Sequence, residues 1–271
     1  MQFGIIIIGD EILNGSRQDS HFVFFKQLLQ QHGLYMAWAQ YLPDDQVVIT
    51  RQLIESFKEK IPVFVTGGIG ATPDDHTRQA CAKALNLPLT PHPEALKVIE
   101  SISLKQGDSL DSPAHLQRAK MAEFPQGSAL IPNPFNNIAG FSINEHYFFP
   151  GFPQMAHPMA QWVLSQYYQQ NFFRQKLVTK AALVDGVPES KITPLMEAIE
   201  QNWPGIKTFS LPTIRDDLPA EEQIHYYRLE FGLKTHSENS GFLPEAWEYV
   251  LQELQKLGAT NIIPLDKSSE G

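Results

Sequence analysis

Apolar runs and amphipathic stretches alternate along the first third of the chain. Residues 3–8 form a continuous apolar run that ends at Gly9, a pattern typical of a strand buried on both faces of a parallel sheet. Further strands are predicted at 34–41 and 62–65, and helices at 43–60 and 73–86. The first helix is predicted between a cap at Asp19 and a stop at Gly33, and its apolar face is formed by Phe22, Phe25, Leu28 and Leu29.

This alternation predicts an α/β domain in three layers, a mostly parallel sheet with helices on both faces. Helices are predicted next at 92–106 and 112–122, followed by short strands at 128–132, 139–143 and 146–150. Asn144 and Glu145 separate the last two strands, which favours a hairpin. The proline-rich stretch 149–158 predicts a rigid, irregular loop that leads into a long helix from Met155 to about Gln170.

The pattern changes after about residue 172. Strands and helices are then predicted in the order β-α-β-β-α-β, which is the order of a ferredoxin-like α+β unit. The third of these strands shows clear alternation at Tyr227, Leu229, Phe231 and Leu233. We therefore expect two domains, 1–172 and 173–271, the second being large enough to hold its own core. The six predicted elements are 175–186, 188–202, 206–211, 224–234, 243–258 and 260–265.

Composition and charge exclude several classes of function. The 271 residues carry a formal net charge of −9, and the basic residues are scattered, so we expect no binding to nucleic acid. Cys81 is the only cysteine, which excludes a disulfide within one chain and zinc sites built from cysteine pairs. No apolar stretch approaches the roughly 20 residues that span a bilayer, and no signal peptide is recognisable, so a cytoplasmic protein is expected.

The chain contains no complete copy of the familiar catalytic and nucleotide-binding motifs. Gly4 and Gly9 are spaced like the opening of a P-loop, but Asp10 and Glu11 stand where lysine and a hydroxyl residue are needed. The dinucleotide fingerprint that begins at Gly68 fails because its third glycine would fall on a proline. G-x-S-x-G and H-E-x-x-H are both absent, and Cys81 is expected to be a buried apolar side chain.

Three loops remain as candidates, because ligands of open α/β sheets bind outside the carboxyl ends of the parallel strands. They read GDEILNG from Gly9, LPDD from Leu42 and TGGIGATPDD from Thr66, and all three contain carboxylates. Glycines let backbone N–H groups approach an oxyanion, and a cation would reconcile a phosphate with the neighbouring Asp74 and Asp75. The sequence therefore predicts a phosphate and cation site at this edge.

Asp75 also has a purely structural interpretation. Thr72-x-x-Asp75 matches a capping box, with Pro73 at the favoured first helical position. Asp10 and Glu11 are likewise expected either to cap the helix after the first strand or to face a ligand. A cap explains neither the glycines nor the second carboxylate, Asp74, so both interpretations of Asp75 stay open.

These motifs, followed by LIPNP from Leu130 and PGFPQM from Pro150, resemble the N-terminal domain of the competence/damage-inducible protein A (CinA) family. That domain belongs to the molybdenum-cofactor-biosynthesis, or molybdopterin-binding, superfamily. The resemblance covers about residues 1–170, and the tail resembles the smaller α+β domain that follows in CinA. The amidohydrolase domain of longer CinA proteins is expected to be absent, because the chain leaves no room for it.

The resemblance implies a metal-dependent pyrophosphatase that acts on an ADP-ribose-like nucleotide with Mg²⁺ or another divalent cation, and with K⁺. The alternative that it implies is a module that binds molybdopterin or a nucleotide without hydrolysis. Asp75 and Asp44 are the implied metal ligands, with Asp10 and Asp74 as further catalytic candidates. A homo-oligomer, dimer or trimer, is expected by analogy. The residues expected to contact ligand or phosphate are Gly9, Glu11, Thr66, Gly67, Gly68, Gly70, Thr72, Thr77, Pro150 and Gly151.

The chain departs from the family pattern at two places. The Gly-Thr pair of the P-N-P-x-G-T loop is replaced by Asn136 and Asn137, and Gln154 stands where an acid is common. Both changes are expected to weaken phosphate or metal binding at the far side of the site, which puts catalysis in question more than fold or binding.

Overall fold

The structure is a computed structural model that describes residues 1–174, 177–213 and 228–266. The chain divides into two compact units, Met1–Phe172 and Phe173–Gly271. Residues 175–176, 214–227 and 267–271 are not described, so the predicted strand start at residue 224 and the alternation at Tyr227 lie outside the described part.

The first unit is built on a six-stranded sheet with the order β2-β1-β3-β8-β7-β6. The strands β2, β1, β3 and β8 run parallel, whereas β7 is antiparallel to β8 and β6 is antiparallel to β7. The mostly parallel α/β prediction is therefore confirmed. The strands are β1 (Gln2–Ile8), β2 (Tyr35–Leu42), β3 (Val63–Thr66), β6 (Ala129–Ile131), β7 (Gly140–Ile143) and β8 (His146–Phe149), and a separate pair consists of β4 (Leu89–Pro91) and β5 (Glu123–Pro125).

Helices cover both faces of this sheet. The helices of the unit are α1 (Asp10–Leu13), α2 (His21–Gln31), α3 (Gln46–Ser56), α4 (Thr77–Ala84), α5 (Pro93–Lys105), α6 (Pro113–Ala119) and α7 (Pro153–Val163). On one face Ile5 and Ile7 of β1 pack with α2 and α7, and on the other Ile6 and Ile8 pack with α3, α4 and α5. Side chains of a strand point alternately to its two faces, so a strand between two helix layers has to be apolar throughout. Cys81 of α4 is buried in the second layer, as expected.

Several local predictions were wrong. The helix predicted from residue 73 begins only at Thr77, because a turn at residues 73–74 and two irregular residues precede it. The stretch predicted as an irregular loop already contains the start of α7 at Pro153, and this helix includes Pro158. By contrast, the long helix predicted to about Gln170 has the expected extent, because α7 ends at Val163 and a π-helical turn and a 3₁₀ turn continue it to Asn171. The strands β4 and β5 were not predicted.

The hairpin predicted at Asn144 and Glu145 is confirmed. Both residues have positive φ, 48° and 59°, as the central pair of a tight two-residue hairpin requires. Asp19 also acts as predicted at the start of α2, because its carboxylate accepts from the backbone N–H groups of His21 and Phe22.

The second unit has its own sheet and core. Its elements are β9 (Leu177–Asp185), α8 (Glu189–Asn202), β10 (Ile206–Pro212), β11 (Arg228–His236), α9 (Leu243–Lys256) and β12 (Asn261–Leu265). The sheet is antiparallel with the order β10-β11-β9-β12, and both helices contribute to one apolar cluster. This is the predicted ferredoxin-like β-α-β-β-α-β arrangement.

Candidate functional site

The carboxyl ends of the parallel strands bring four loops to one edge of the first sheet. The loops follow β1, β2, β3 and β8, which run in the same direction. The loop after β1 contacts the loop after β2 through a hydrogen bond from the Asp10 N–H to the Asp44 carboxylate. The loop after β8 meets the loop after β3, because a Cβ at Gly151 would lie 3.4 Å from Gly67 Cα. The predicted site residues therefore share one edge.

The glycines of the loop after β3, called here the glycine loop (66–76), allow the backbone to fold back on itself. Gly67 and Gly68 have φ values of 99° and 66°, a region that favours glycine. A Cβ at Gly67 would overlap the carbonyl oxygen of Ile8, and one at Gly68 would overlap the hydroxyl of Thr77. At both positions a side chain would collide with neighbouring atoms, so glycine allows the loop to pack this closely.

Asp75 holds the glycine loop closed. Its carboxylate accepts from Gly70 N–H at 2.9 Å, from Thr72 N–H at 2.8 Å and from the Thr72 hydroxyl at 2.5 Å. The bond between Thr72 N–H and Asp75 is one half of the predicted capping box, but no helix follows at residue 73, since His76 is the N-cap of α4. The capping prediction is therefore wrong, and the carboxylate stabilises a loop instead.

Arg78 fixes the other side of the glycine loop, a role that the sequence did not reveal. The side chain is 2% exposed, and its guanidinium donates to the carbonyls of Gly70 and Lys120. Burial lowers the pKa of Arg78, and the carboxylates of Asp75 and Glu123 oppose this shift. Gln117 of α6 donates to the carbonyl of Ala71. Two successive carbonyls of the loop are therefore held by side chains of the protein.

Between Gly67 and Thr72, three backbone N–H groups of the same loop are left without an acceptor in the residues that the structure describes, whereas those of Gly67, Gly70 and Thr72 are paired. Within the described part of the chain, no acceptor pairs with the N–H of Gly68, Ile69 or Ala71. The hydroxyl of Thr66, which is 1% exposed, also has no partner among the described residues. Successive unpaired N–H groups on a loop with left-handed residues are the feature from which anion-binding backbone sites are built. The loop thus offers donors while its carbonyls are engaged.

Other predicted contact residues serve the scaffold. The Gly9 N–H donates to the carbonyl of Leu42, and the buried Thr77 hydroxyl donates to the carbonyl of Gly67 at 2.9 Å. Gly151 is held from behind by His21, whose Nε2 lies 3.1 Å from its carbonyl oxygen. No local pattern predicts this contact, because the two residues are 130 positions apart.

The carboxylates of Asp10, Glu11 and Asp74 lie near enough to Asp44, beside the glycine loop, for their charges to act on it. Asp10 and Asp44 exchange backbone to side-chain hydrogen bonds of 2.9 and 3.3 Å. Burial raises the pKa of Asp44, and the neighbouring charges of Asp10, Glu11 and Asp74 raise it further, against the lowering effect of the Asp10 N–H. The pKa of the exposed Asp74 is lowered, chiefly by the nearby Thr72 hydroxyl. That hydroxyl carries one proton and donates it to Asp75 in the structure.

Comparison with known proteins identifies the first unit. The family model described as "Probable molybdopterin binding domain" matches residues 4–170. The chain belongs to this family. Among CinA-like proteins, one from Geobacter sp. (strain M21) is 31% identical over 202 residues, which cover 73% of this chain and 47% of that protein. Another, from Sulfurihydrogenibium sp. (strain YO3AOP1), is 27% identical over 267 residues, covering 94% and 64%.

A solved structure agrees with this placement. The crystal structure of the protein CinA from Thermoplasma acidophilum superposes with a TM-score of 0.54 at 26% identity, and the match covers 60% of this chain and 96% of that one. The chain spans about half to two-thirds of the length of the two CinA-like relatives above. In the described residues, no helix is long and apolar enough to cross a membrane.

The loop that departs from the CinA pattern is held by asparagine side chains. Asn133 is buried and donates to the Asn136 carboxamide oxygen at 2.8 Å and to the carbonyl of Ile138 at 3.0 Å. Asn137 has φ 63°, a conformation that asparagine tolerates better than most residues. This loop of the molybdopterin-binding domain borders a cavity of ≈ 890 Å³ between α5 and α7. The replaced Gly-Thr pair therefore has a defined structure.

The donor set at the edge fits a divalent cation that is shared with a ligand. Among the described residues, no three His, Cys, Asp or Glu side chains are grouped to enclose a metal ion. Mg²⁺ is commonly held by one or two carboxylates together with phosphate oxygens and water, so such a cage is not required. Asp44 and its acidic neighbours supply suitable hard oxygen ligands. Asp75 is less free for this role, because three donors already occupy its carboxylate.

Proposed function

We propose that the edge formed by the glycine loop and the four carboxylates binds the diphosphate of a nucleotide- or pterin-type ligand together with a divalent cation. The observation that carries this proposal is the division of the glycine loop into engaged carbonyls and unpaired N–H groups, next to carboxylates that repel one another. A phosphate satisfies the N–H groups, and a cation between phosphate and Asp44 removes the repulsion.

The proposed activity is hydrolysis of the diphosphate of an ADP-ribose-like nucleotide, which gives AMP and ribose 5-phosphate. When bound, a divalent cation polarises the phosphoryl oxygen and lowers the pKa of a bound water. The unpaired N–H groups of Gly68, Ile69 and Ala71 orient the phosphate and stabilise negative charge. One of the carboxylates Asp10, Glu11 and Asp74 accepts the proton of the water as its oxygen forms the new bond to phosphorus and the bridging P–O bond breaks.

Binding without hydrolysis is the second candidate. It is favoured by the loop of Asn133, Asn136 and Asn137, where side chains replace the Gly-Thr pair of the CinA pattern. This loop borders the cavity between α5 and α7, and its side chains differ from the Gly-Thr pair of the pattern, which favours binding over hydrolysis. A molybdopterin-type ligand is then the expected occupant.

One titration and one product assay test both candidates. Calorimetry of the full chain with ADP-ribose is expected to show binding that strengthens at least tenfold when Mg²⁺ is added. Asp44→Asn is expected to remove the Mg²⁺ effect, whereas Glu55→Gln, at the far end of α3, leaves it unchanged. Formation of AMP, followed by chromatography, supports the hydrolase; binding without AMP supports the binding module. Absence of binding by both ADP-ribose and inorganic pyrophosphate, with Mg²⁺ present, contradicts the proposal.

A further inference from the structure

An exposed aromatic ring stands beside the glycine loop without a role in the core. Phe152 directly follows Gly151, and 54% of its surface is exposed. Its backbone is well anchored, since its carbonyl accepts from the N–H groups of Met155 and Ala156 at 2.9 Å in the first turn of α7. Phe152 is also the N-cap residue of that helix. The ring is thus held on a fixed backbone and left open to solvent.

The position of the ring relative to the site follows from its neighbour. Gly151 approaches Gly67 so closely that a Cβ on Gly151 would touch Gly67 Cα at 3.4 Å. Nε2 of His21 lies 3.1 Å from the carbonyl oxygen of Gly151 and holds this backbone in place. The backbone next to Phe152 therefore lies against the start of the loop that carries the unpaired N–H groups.

A cation lies over this ring. The guanidinium carbon of Arg17 is 5.8 Å from the centre of the Phe152 ring, within the range of a cation–π contact. Arg17 is itself directed by Glu11, whose carboxylate lies 3.8 Å from the guanidinium. The pair Arg17 and Phe152 therefore joins the loop after β1 to the loop after β8, on either side of the glycine loop's own strand.

We propose that Phe152 is the stacking platform for the planar heterocycle of the ligand, and that Arg17 closes over that heterocycle. This inference rests on the proposed function, because the diphosphate of the same ligand occupies the glycine loop. Stacked groups are separated by about 3.5–4 Å, so a ring placed between Phe152 and Arg17 requires about 7–8 Å between them. The guanidinium carbon is now 5.8 Å from the ring centre, so Arg17 has to move away by about 1–2 Å. Arg17 is half exposed and belongs to a surface loop, which permits that movement.

The chemistry shared by the possible ligands is a flat, bicyclic heteroaromatic ring linked to a diphosphate. Adenine and pterin both satisfy this description, and stacking accepts any π face. Phe152 and Arg17 are therefore expected to select for the presence of a ring, whereas groups elsewhere distinguish one ring from another.

The test compares ligands with and without a ring on matched variants. Phe152→Ala is expected to weaken binding of ADP-ribose and of 6-hydroxymethylpterin diphosphate by roughly tenfold or more, the scale of one aromatic stacking contact. Binding of inorganic pyrophosphate and ribose 5-phosphate is expected to stay within about twofold of the unmodified chain. Phe152→Trp is expected to retain or tighten binding of the ring ligands, and Phe152→Leu to lose it despite its apolar bulk.

Phe242→Ala is the control, because Phe242 is also an exposed N-cap phenylalanine, at the start of α9 in the second unit. Equal affinity of Phe152→Ala and the unmodified chain for both ring ligands, with pyrophosphate still bound, overturns the platform but not the proposed function. Failure of pyrophosphate and of both ring ligands to bind the unmodified chain overturns the two together. If Phe152→Ala loses affinity for only one of the two ring ligands, the heterocycle of that ligand is the one that stacks on Phe152.

Discussion

The backbone N–H of Asp10 donates to the Asp44 carboxylate at 2.9 Å, while the N–H of Asp44 faces the Asp10 carboxylate at 3.3 Å. Each carboxylate thus holds the backbone of the other, and both negative charges are kept at the end of adjacent parallel strands. Such an arrangement is electrostatically unfavourable without a cation, and this gives the first prediction.

Asp44→Asn is expected to stabilise the chain without ligand and to remove the Mg²⁺ dependence of ligand binding. Folding raises the pKa of Asp44, so the ionised carboxylate is less stable in the folded chain than in the unfolded chain. The stability that the protonated carboxyl contributes is therefore lost as the pH rises through the folded pKa, and ionisation at neutral pH opposes folding. Asparagine removes the charge but keeps an oxygen that accepts from the Asp10 N–H. We expect the melting temperature to rise by about 1–4 °C in calorimetry. Glu55→Gln, which removes an exposed charge elsewhere on the unit, is expected to change it by less; a lower melting temperature for Asp44→Asn contradicts this account.

Asp75→Asn is expected to loosen the glycine loop. Both carboxylate oxygens accept from N–H groups, and the amide nitrogen of asparagine would face one of those donors. Loss of one charge-assisted hydrogen bond predicts a decrease of about 1.5–3 kcal/mol in the free energy of unfolding. Binding of pyrophosphate without any cation is expected to weaken as well, as measured by calorimetry. A variant that loses only the Mg²⁺-dependent part of binding would identify Asp75 as a metal ligand rather than a support of the loop.

Gly68→Ala is expected to destabilise the chain for two separable reasons. The residue has φ 66°, and the new Cβ would overlap the Thr77 hydroxyl. The double variant Gly68→Ala with Thr77→Ala removes the overlap but not the backbone strain, which costs on the order of 1 kcal/mol. Urea denaturation of the four members of this cycle is expected to show a favourable coupling between the two substitutions. Strict additivity would mean that the overlap does not contribute.

The first unit is expected to lose stability in mild acid through His146. The imidazole is buried with Nε2 2.8 Å from the Ser56 hydroxyl, and burial lowers its pKa from 6.5 to about 4. Below pH 6.5 the unfolded chain binds a proton that the folded chain does not, so stability falls between pH 6.5 and 4. The loss at pH 5 relative to pH 7 is about 2 kcal/mol. Hydrogen exchange of the β8 amides measures it.

His146→Gln is the matched variant for that measurement. Glutamine retains a hydrogen-bonding side chain but has no titrating group, so the variant is expected to lose about 2 kcal/mol less than the unmodified chain over the same interval. Parallel pH profiles for the two proteins would show that other groups cause the acid sensitivity.

The sequence predicted the architecture well because the strands of a covered parallel sheet leave a strong signal. The apolar run of β1 and the β-α-β-β-α-β order of the second unit each depend on local patterns. The start of α4 was missed because Thr72 and Asp75 make a hydrogen bond of a capping box, although the helix begins only at Thr77. The other carboxylate oxygen of Asp75 accepts from the Gly70 N–H, a hydrogen bond that the spacing of the residues does not predict.

The candidate site was predicted in outline only. The sequence located the loops and the carboxylates, since both follow strand ends directly. It did not reveal that Arg78 and Gln117 hold carbonyls of the glycine loop. Arg78 lies in the helix that follows the loop and turns back to Gly70, whereas Gln117 comes from a helix 46 positions away from Ala71. The prediction that Asp44 and Asp75 bind metal stays a prediction. Asp44 is placed among other carboxylates, and Asp75 is largely engaged with the loop.

The burial of β1 on both of its faces has a mechanical consequence. Ile7 and Ile8 are consecutive residues that anchor opposite helix layers, and Gly9, which follows them, opens the loop of Asp10 and Glu11. A movement of that loop is therefore resisted by the apolar clusters on both faces of the sheet. A displacement of β1 along its axis would disturb its packing against both helix layers at once, and this resists the movement. Because β1 also pairs with β3, the strand that precedes the glycine loop, the carboxylates after β1 are positioned by both cores together.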